Sequence, residues 1–243
     1  MPAVNPLRDR TVQSMFDRIA ERYDVLNRVI SFRLDQRWRR EVIKAVLTQG
    51  RPRILDIGTG TGDLLFDAVT AMPGEGFFVG LDFSPRMLQL ARAKRSGNSR
   101  ADCTAFVLGS AMFAPFQEDS FDGAMSAFVL RNVSDITLLF AETLRVLKPG
   151  AKFVSVDMFP PDRGWFSALY SVYFHGLMPR IGALLARDRA AYQYLSDSVR
   201  RFPPPENVTR LIEQAGFEGV TLRKYLRGAV CMHIARKPRL HAA

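Results

Sequence analysis

The residues best placed to do chemistry stand in one short stretch, Arg53–Asp63, which reads RILDIGTGTGD. An apolar run from Ile54 to Ile57 carries Asp56 and leads into Gly58, Gly60 and Gly62. A strand that feeds a glycine-rich turn and then a helix is where α/β proteins grip nucleotides. The dinucleotide version, G-x-G-x-x-G, seats a pyrophosphate on the helix N-terminus. Here Asp63 takes the place of the third glycine, and a carboxylate at that point repels a pyrophosphate. A cationic cofactor tolerates or prefers an acid there. S-adenosylmethionine, with its sulfonium and ammonium, fits that description, and Asp56 supplies a second carboxylate nearby.

A further acid, Asp82, ends the next apolar run, Phe77–Asp82. A carboxylate at this point can accept hydrogen bonds from both hydroxyls of a ribose. The competing role of helix cap falls to Ser84, which precedes Pro85 and suits it better. Phe83 and Met87, on either side of that cap, join the cofactor-contact candidates. "GSA" (Gly109–Ala111) follows the third strand, where an adenine amino group would be met. Asp56, Gly58, Gly60, Gly62 and Asp82 at these spacings together indicate a methyl-donor site.

These residues need a frame. Val12, Met15, Phe16, Ile19, Ala20 and Tyr23 recur with the 3.6 period of an amphipathic helix, and a second helix is expected from Trp38 to Leu47. Strands are expected at 53–57, 77–82, 104–108, 121–128 and 152–158, with helices between them and "LKPG" (147–150) closing the last helix. That alternation predicts a parallel sheet covered on both faces. Residues 159–203 then break the rhythm with an aromatic, mostly helical insertion. A helix after Pro203–Pro205 and two strands, 220–225 and 229–235, follow. So short a connection, at Arg227-Gly228, makes them antiparallel. The expected fold is α/β, and its plan of five parallel strands, an insertion and a closing hairpin resembles that of the Rossmann-like class I S-adenosylmethionine-dependent methyltransferases. Its seven-stranded sheet is mostly parallel, with an antiparallel C-terminal hairpin and a helical lid. Within one compact domain the division is 1–50 (N-terminal helical cap), 51–158 (cofactor-binding core), 159–203 (lid insertion) and 204–243 (closing helix and hairpin).

Composition narrows the class. The chain of 243 residues is 47% hydrophobic, enough for a core. Cys103 and Cys231 form no CxxC pair and have no histidine cluster beside them, so neither a zinc site nor a disulfide is expected. No metal is called for. No apolar run reaches the ~20 residues of a membrane span, and the N-terminus lacks a signal-peptide core, so a cytoplasmic protein is expected. Thirty-four Lys and Arg against 24 Asp and Glu give a net charge of +10. Nucleic acid and anionic membrane both attract such a chain. The basic residues concentrate at 28–44 and after Glu218.

Longer stretches resemble one family, the ubiquinone/menaquinone biosynthesis C-methyltransferases. "VQSMFDRIAERYDVLNRVISF" (12–32) with "RWRR" (37–40) looks like its N-terminal signature. "FVLRNVSD" (128–135), running into "LRVLKPG", looks like its second. "YQYLSDSVRRFP" (192–203) with "AGF" (215–217) is similar to its C-terminal segment. The resemblance implies methyl transfer from S-adenosylmethionine to a ring carbon of a polyprenylated quinol, demethylmenaquinol being preferred. It also implies cofactor contacts at Thr61, Asp82, Ser110, Ala111 and Ser126. Two positions depart from the pattern: Ser110 stands where Asp or Asn is expected, and Met112 where an acid is usual.

Carbon methylation requires a ring carbon made electron-rich by an adjacent hydroxyl losing its proton. Arginine is a poor base, so Arg131 is expected to stabilise the developing quinolate and Asn132 to orient it. Tyr173, His175 and Asp157 are the proton acceptors to weigh, and packing roles compete for each. The N-terminal helices and residues 159–203 should cover the ring, and the basic zones should rest on anionic lipid at the inner face of the cytoplasmic membrane. A homodimer is left open. Nucleic acid is not expected as a partner: "SAFVLRN" replaces the (Asp/Asn)-Pro-Pro-aromatic turn of amino-methylating enzymes, and neither cysteine follows a proline. A methyltransferase acting on oxygen or nitrogen of another small molecule is the main alternative.

Overall fold

The computed structural model describes residues 6–47, 49–72, 76–96, 100–162, 164, 165, 167, 170, 176 and 189–239. The strands run β1 (Arg53–Ile57), β2 (Phe77–Asp82), β3 (Thr104–Leu108), β4 (Phe121–Ala127), β5 (Leu147–Met158), β6 (Glu218–Tyr225) and β7 (Val230–Arg236). They form a seven-stranded sheet in the order β3-β2-β1-β4-β5-β7-β6. β1 to β5 pair in parallel, whereas β7 is antiparallel to both β5 and β6. Strand order reverses between β1 and β4, and ligands of open α/β sheets bind at the carboxyl ends on either side of such a switch point.

The helices are α1 (Pro6–Ile30), α2 (Leu34–Val46), α3 (Asp63–Ala71), α4 (Pro85–Arg95), α5 (Ile136–Val146), α6 (Arg189–Arg201) and α7 (Pro205–Gln214). Trp38, Val42, Ile43 and Val46 of α2 and Leu64, Leu65 and Ala68 of α3 cover one sheet face, meeting Ile54, Met125 and Val154. Leu139 and Phe140 of α5 and Val208 and Ile212 of α7 cover the other, meeting Leu55, Ala124 and Phe153. Buried on both sides, β1 and β2 are apolar along nearly their whole length, as parallel central strands must be.

Several boundaries differ from the sequence reading. α1 extends well beyond the Val12–Tyr23 stripe at both ends. α2 begins four residues earlier than Trp38 and packs into the sheet core. β4 stops at Ala127 because Phe128 turns to φ 63. "LKPG" does not merely close α5. Leu147 already pairs with Phe121, an irregularity follows, and β5 runs on from there. The last two strands are antiparallel as expected, joined by a 3₁₀ turn at Leu226–Gly228.

Candidate active site

The loop after β1 is shaped by its glycines. Gly58, Gly60 and Gly62 all have positive φ, 66°, 56° and 86°, where side chains with a Cβ are strained. At Gly58 a Cβ would stand 2.4 Å from Val129 Cγ2, and at Gly62 one would stand 2.7 Å from the Phe66 ring. Gly60 has no such neighbour; it lines a cleft of about 360 Å³ together with Gly58. Close packing beneath and open space above make this loop a cradle. Asp56 lies 1% exposed at the end of β1 and accepts from Thr59 Oγ1 at 2.7 Å. Burial pushes its pKa up to about 7. Asp56 and Thr61 line a smaller cavity of about 50 Å³ beside the cleft.

Asp82 forms the next wall. Its Oδ2 accepts from the Gly60 amide at 2.8 Å and its Oδ1 from the Ser84 amide at 2.9 Å. The carboxylate is thus fixed by the backbone of two loops and lines the cleft, where it can accept from a hydroxyl donor. Burial, only partly offset by those amides, raises its pKa to about 6. Ser84 caps α4, accepting from Met87 N at 3.1 Å. Phe83, Met87, Ser110 and Ala111 all line the cleft. Ser110 Oγ accepts from Met112 N at 3.2 Å, and Met112, standing where an acid is usual, lines the cleft as well.

Two of the residues singled out in the sequence sit apart from the cleft lining. Ser126 is fully buried in β4, in register with Ile57 and Ser155, and lines neither of these two cavities. Its successors Ala127 and Phe128 line both instead. Asp63, read as a free acid facing a cation, is held by Lys94 Nζ at 2.6 Å and lies 3.8 Å from Arg39. Its charge serves the helix junction.

That junction contains what the sequence reading missed. Lys94 of α4 also donates to Asp24 Oδ2 of α1 at 2.6 Å and to Thr61 Oγ1 at 2.9 Å, while Thr61 Oγ1 donates to Asp24 Oδ1 at 2.6 Å. Gln13 donates to the Phe83 carbonyl at 2.6 Å, Ser84 Oγ to Asp17 at 2.5 Å and Ser134 Oγ to Asp9 at 3.0 Å. α1 is thereby tied to the loops after β1, β2 and β4 and roofs the cleft. Tyr23 hangs from this roof and borders the cleft, the small cavity and a third recess. Burial raises its pKa, so its hydroxyl stays protonated at neutral pH. In sequence Tyr23 is one more member of an apolar stripe; only its neighbours reveal its place.

On the acceptor side Arg131 and Asn132 form a 3₁₀ turn directly after β4. Arg131 is 7% exposed, forms a short ion pair with Asp157 of β5 and stacks its guanidinium 5.8 Å from the Phe128 ring centre. Asp157, considered as a proton acceptor, is engaged there and by the Met158 amide at 2.7 Å. Asn132 donates to the Phe128 carbonyl at 3.1 Å and lines both the cleft and the recess, whereas Asp135 caps α5. Tyr173 and His175 lie outside the described residues.

Charge and shape fit S-adenosylmethionine. A backbone-held carboxylate ends β2, a turn with glycine at every second position follows β1, and Asp24 and Arg39 of opposite sign border the small cavity. With a doubly wound sheet behind them, these features define a class I S-adenosylmethionine-dependent methyltransferase. A family model described as the ubiE/COQ5 methyltransferase family matches residues 4–237. The chain belongs to that family.

A protein of Thermus thermophilus named demethylmenaquinone methyltransferase is 39% identical over 224 residues, 92% of this chain and 100% of that one. A Deinococcus radiodurans protein of the same name is 40% identical over 218 residues, 89% of each chain. A ubiquinone/menaquinone biosynthesis C-methyltransferase of Geobacter sulfurreducens is 37% identical over 226 residues, 93% and 88% of the two chains. Among solved structures, a methyltransferase from Thermotoga maritima aligns with TM-score 0.64 at 20% identity, covering 93% of this chain and 99% of that one. One from Aquifex aeolicus gives 0.59 at 18%, covering 84% and 92%. At such identities these two speak for the fold.

Proposed function

We propose that this enzyme methylates a ring carbon of a polyprenylated quinol, demethylmenaquinol in the first place. The observation that carries the reading is the near-full-length likeness to proteins named demethylmenaquinone methyltransferase. The geometry supports it. When bound, S-adenosylmethionine supplies an electrophilic methyl group. Asp82 holds its ribose, and Gly58 and Gly60 let its body approach the backbone. Asp56, Thr61, Ser110 and Ala111 complete the seat.

The chain's own task is then to make the acceptor carbon electron-rich. Arg131 and Asp157 together are nearly neutral, so the pair acts through an aimed donor rather than net charge. That donor stabilises negative charge developing on a ring oxygen. Asn132, pinned to the Phe128 carbonyl, orients the ring, and α1 keeps water out, which favours a step in which opposite charges cancel. The hydroxyl proton passes to solvent as charge develops on the ring oxygen, the methyl–sulfur bond breaks as the new C–C bond forms, and the ring carbon's proton then returns by way of solvent to the ring oxygen, restoring the aromatic quinol.

Residues 1–50 and 159–203 serve as cover in this reading, over the core at 51–158 closed by 204–243. The protein works in the cytoplasm, resting on the inner face of the membrane. Exposed Arg28, Arg33, Arg37 and Arg40 flank the exposed Phe32 and give anionic lipid a footing in this reading. No described helix is long and apolar enough to cross a membrane. The test is anaerobic incubation with methyl-labelled S-adenosylmethionine and reduced demethylmenaquinone. Labelled menaquinol is expected, and labelling of other small molecules but of no quinol would overturn the reading.

A further inference from the structure

Two further cavities adjoin the cofactor cleft, the first sharing Phe16, Tyr23 and Asn132 with it and the second Val133. A recess of about 40 Å³ beneath α1 is lined by Met15, Phe16, Tyr23, Asn132 and Leu195 among others. An outer groove of about 560 Å³ runs between α6 and the stretch 130–137, with Ser198, Arg201 and Phe202 on its α6 side. Arg131 and Tyr194 line both, so these two side chains are the wall between recess and groove. The groove has the size of a small-molecule pocket, whereas the recess admits only an edge of a ring.

Among the described residues, both wall side chains carry a buried N–H or O–H that donates to no acceptor: Nε–H of Arg131 and the hydroxyl of Tyr194. Asp157 takes another nitrogen of the same guanidinium and leaves Nε–H unused. The Tyr194 oxygen can accept from the Arg8 guanidinium, which leaves its own O–H proton unused, and burial, the largest influence on it, raises its pKa so that it remains an O–H donor. Buried donors are nearly always satisfied in folded proteins, because leaving them unpaired costs free energy. Two such donors on one wall call for an acceptor that enters from the groove.

We infer that Tyr194, together with Nε of Arg131, anchors an oxygen of the acceptor ring, and that the acceptor reaches the methyl donor through the groove beside α6. The inference rests on the quinol reading above. It assigns to α6 the ring-binding side of the site, opposite the roof formed by α1. An oxygen held by both donors is the one on which charge develops, so the anchor binds the acceptor and favours its ionised form. The remainder of the acceptor trails along Val133, Ile136, Phe202 and Leu211, the apolar lining of the groove.

Tyr194→Phe removes only the hydroxyl. In this variant KM for the quinol is expected to rise about tenfold, with the affinity for S-adenosylhomocysteine and the melting temperature unchanged. Direct titration of the S-adenosylhomocysteine complex under anaerobic conditions separates anchoring from packing. The variant should bind 1,4-dihydroxynaphthalene about tenfold more weakly than the wild type does, and 1,4-dimethylnaphthalene equally well. If the wild type methylates quinols while the variant keeps both KM and diol affinity, the anchor is overturned and the quinol reading stands. If both compounds are weakened alike, Tyr194 acts by packing and the anchor again falls. If the wild type methylates no quinol, both readings fall together.

Discussion

At the scale of single residues, Asp82 sets the pH range of the site. Its carboxylate is held by two amides yet buried enough that its pKa lies near 6, above the usual carboxylate value. In the proposed seat the ionised form accepts from ribose hydroxyls, so cofactor affinity should grow as pH rises through about 6 and fall below it. By linkage, S-adenosylhomocysteine is expected to bind about tenfold more weakly at pH 5 than at pH 7.5, measurable by calorimetry. Asp82→Asn should weaken binding at every pH and flatten that dependence. Folding runs the other way. A carboxyl whose folded pKa is raised holds its proton longer in the folded state, so Asp82, like Asp56 with its value near 7, lowers stability as pH climbs from about 4 to about 7. The cofactor seat is therefore built from groups that reduce stability at neutral pH.

Among the elements, α1 decides how firmly the cofactor is enclosed. Lys94 gathers Asp24, Thr61 and Asp63, joining α1 to the glycine loop and to α3. Lys94→Met leaves Asp24 and Asp63 without their shared cation. About 1–2 kcal/mol of α1 docking should be lost, seen as faster amide exchange across α1 and a fall in melting temperature of about 2–6 °C. The central strands, the glycine loop and the Ser84 cap were legible in the sequence because local pattern dictates them: apolar runs, glycines at fixed spacing, a serine before a proline. The roles of Tyr23, Asp24 and Lys94 were not. Tyr23 reads as a helix stripe and Lys94 as a solvated basic residue until α1 is folded over β1 and β2. The same holds for Arg131 and Asp157, 26 residues apart in sequence and paired only because β4 and β5 are neighbours. Ser126 shows the converse, a position assigned by pattern whose side chain the sheet buries.

For the whole molecule, charge and sheet order carry the argument. The net charge of +10 includes exposed arginines at 28–40 and at Arg223, Arg227 and Arg236. Vesicles containing anionic lipid should bind the protein at low salt and release it at about 0.5 M, where screening shortens the reach of charge to a few ångströms. Flotation without binding at low salt would remove direct lipid attachment from the account. The switch point between β1 and β4 brings Arg131–Asn132 beside the cleft that Asp82 and the glycine loop line, and the likeness to proteins named demethylmenaquinone methyltransferase carries the central proposal of carbon rather than oxygen methylation. The most direct measurement uses reduced demethylmenaquinone deuterated at its unsubstituted quinone-ring carbon. The expected product carries one new methyl on that carbon and has lost the ring deuterium. A methyl ether that keeps its deuterium would contradict the account.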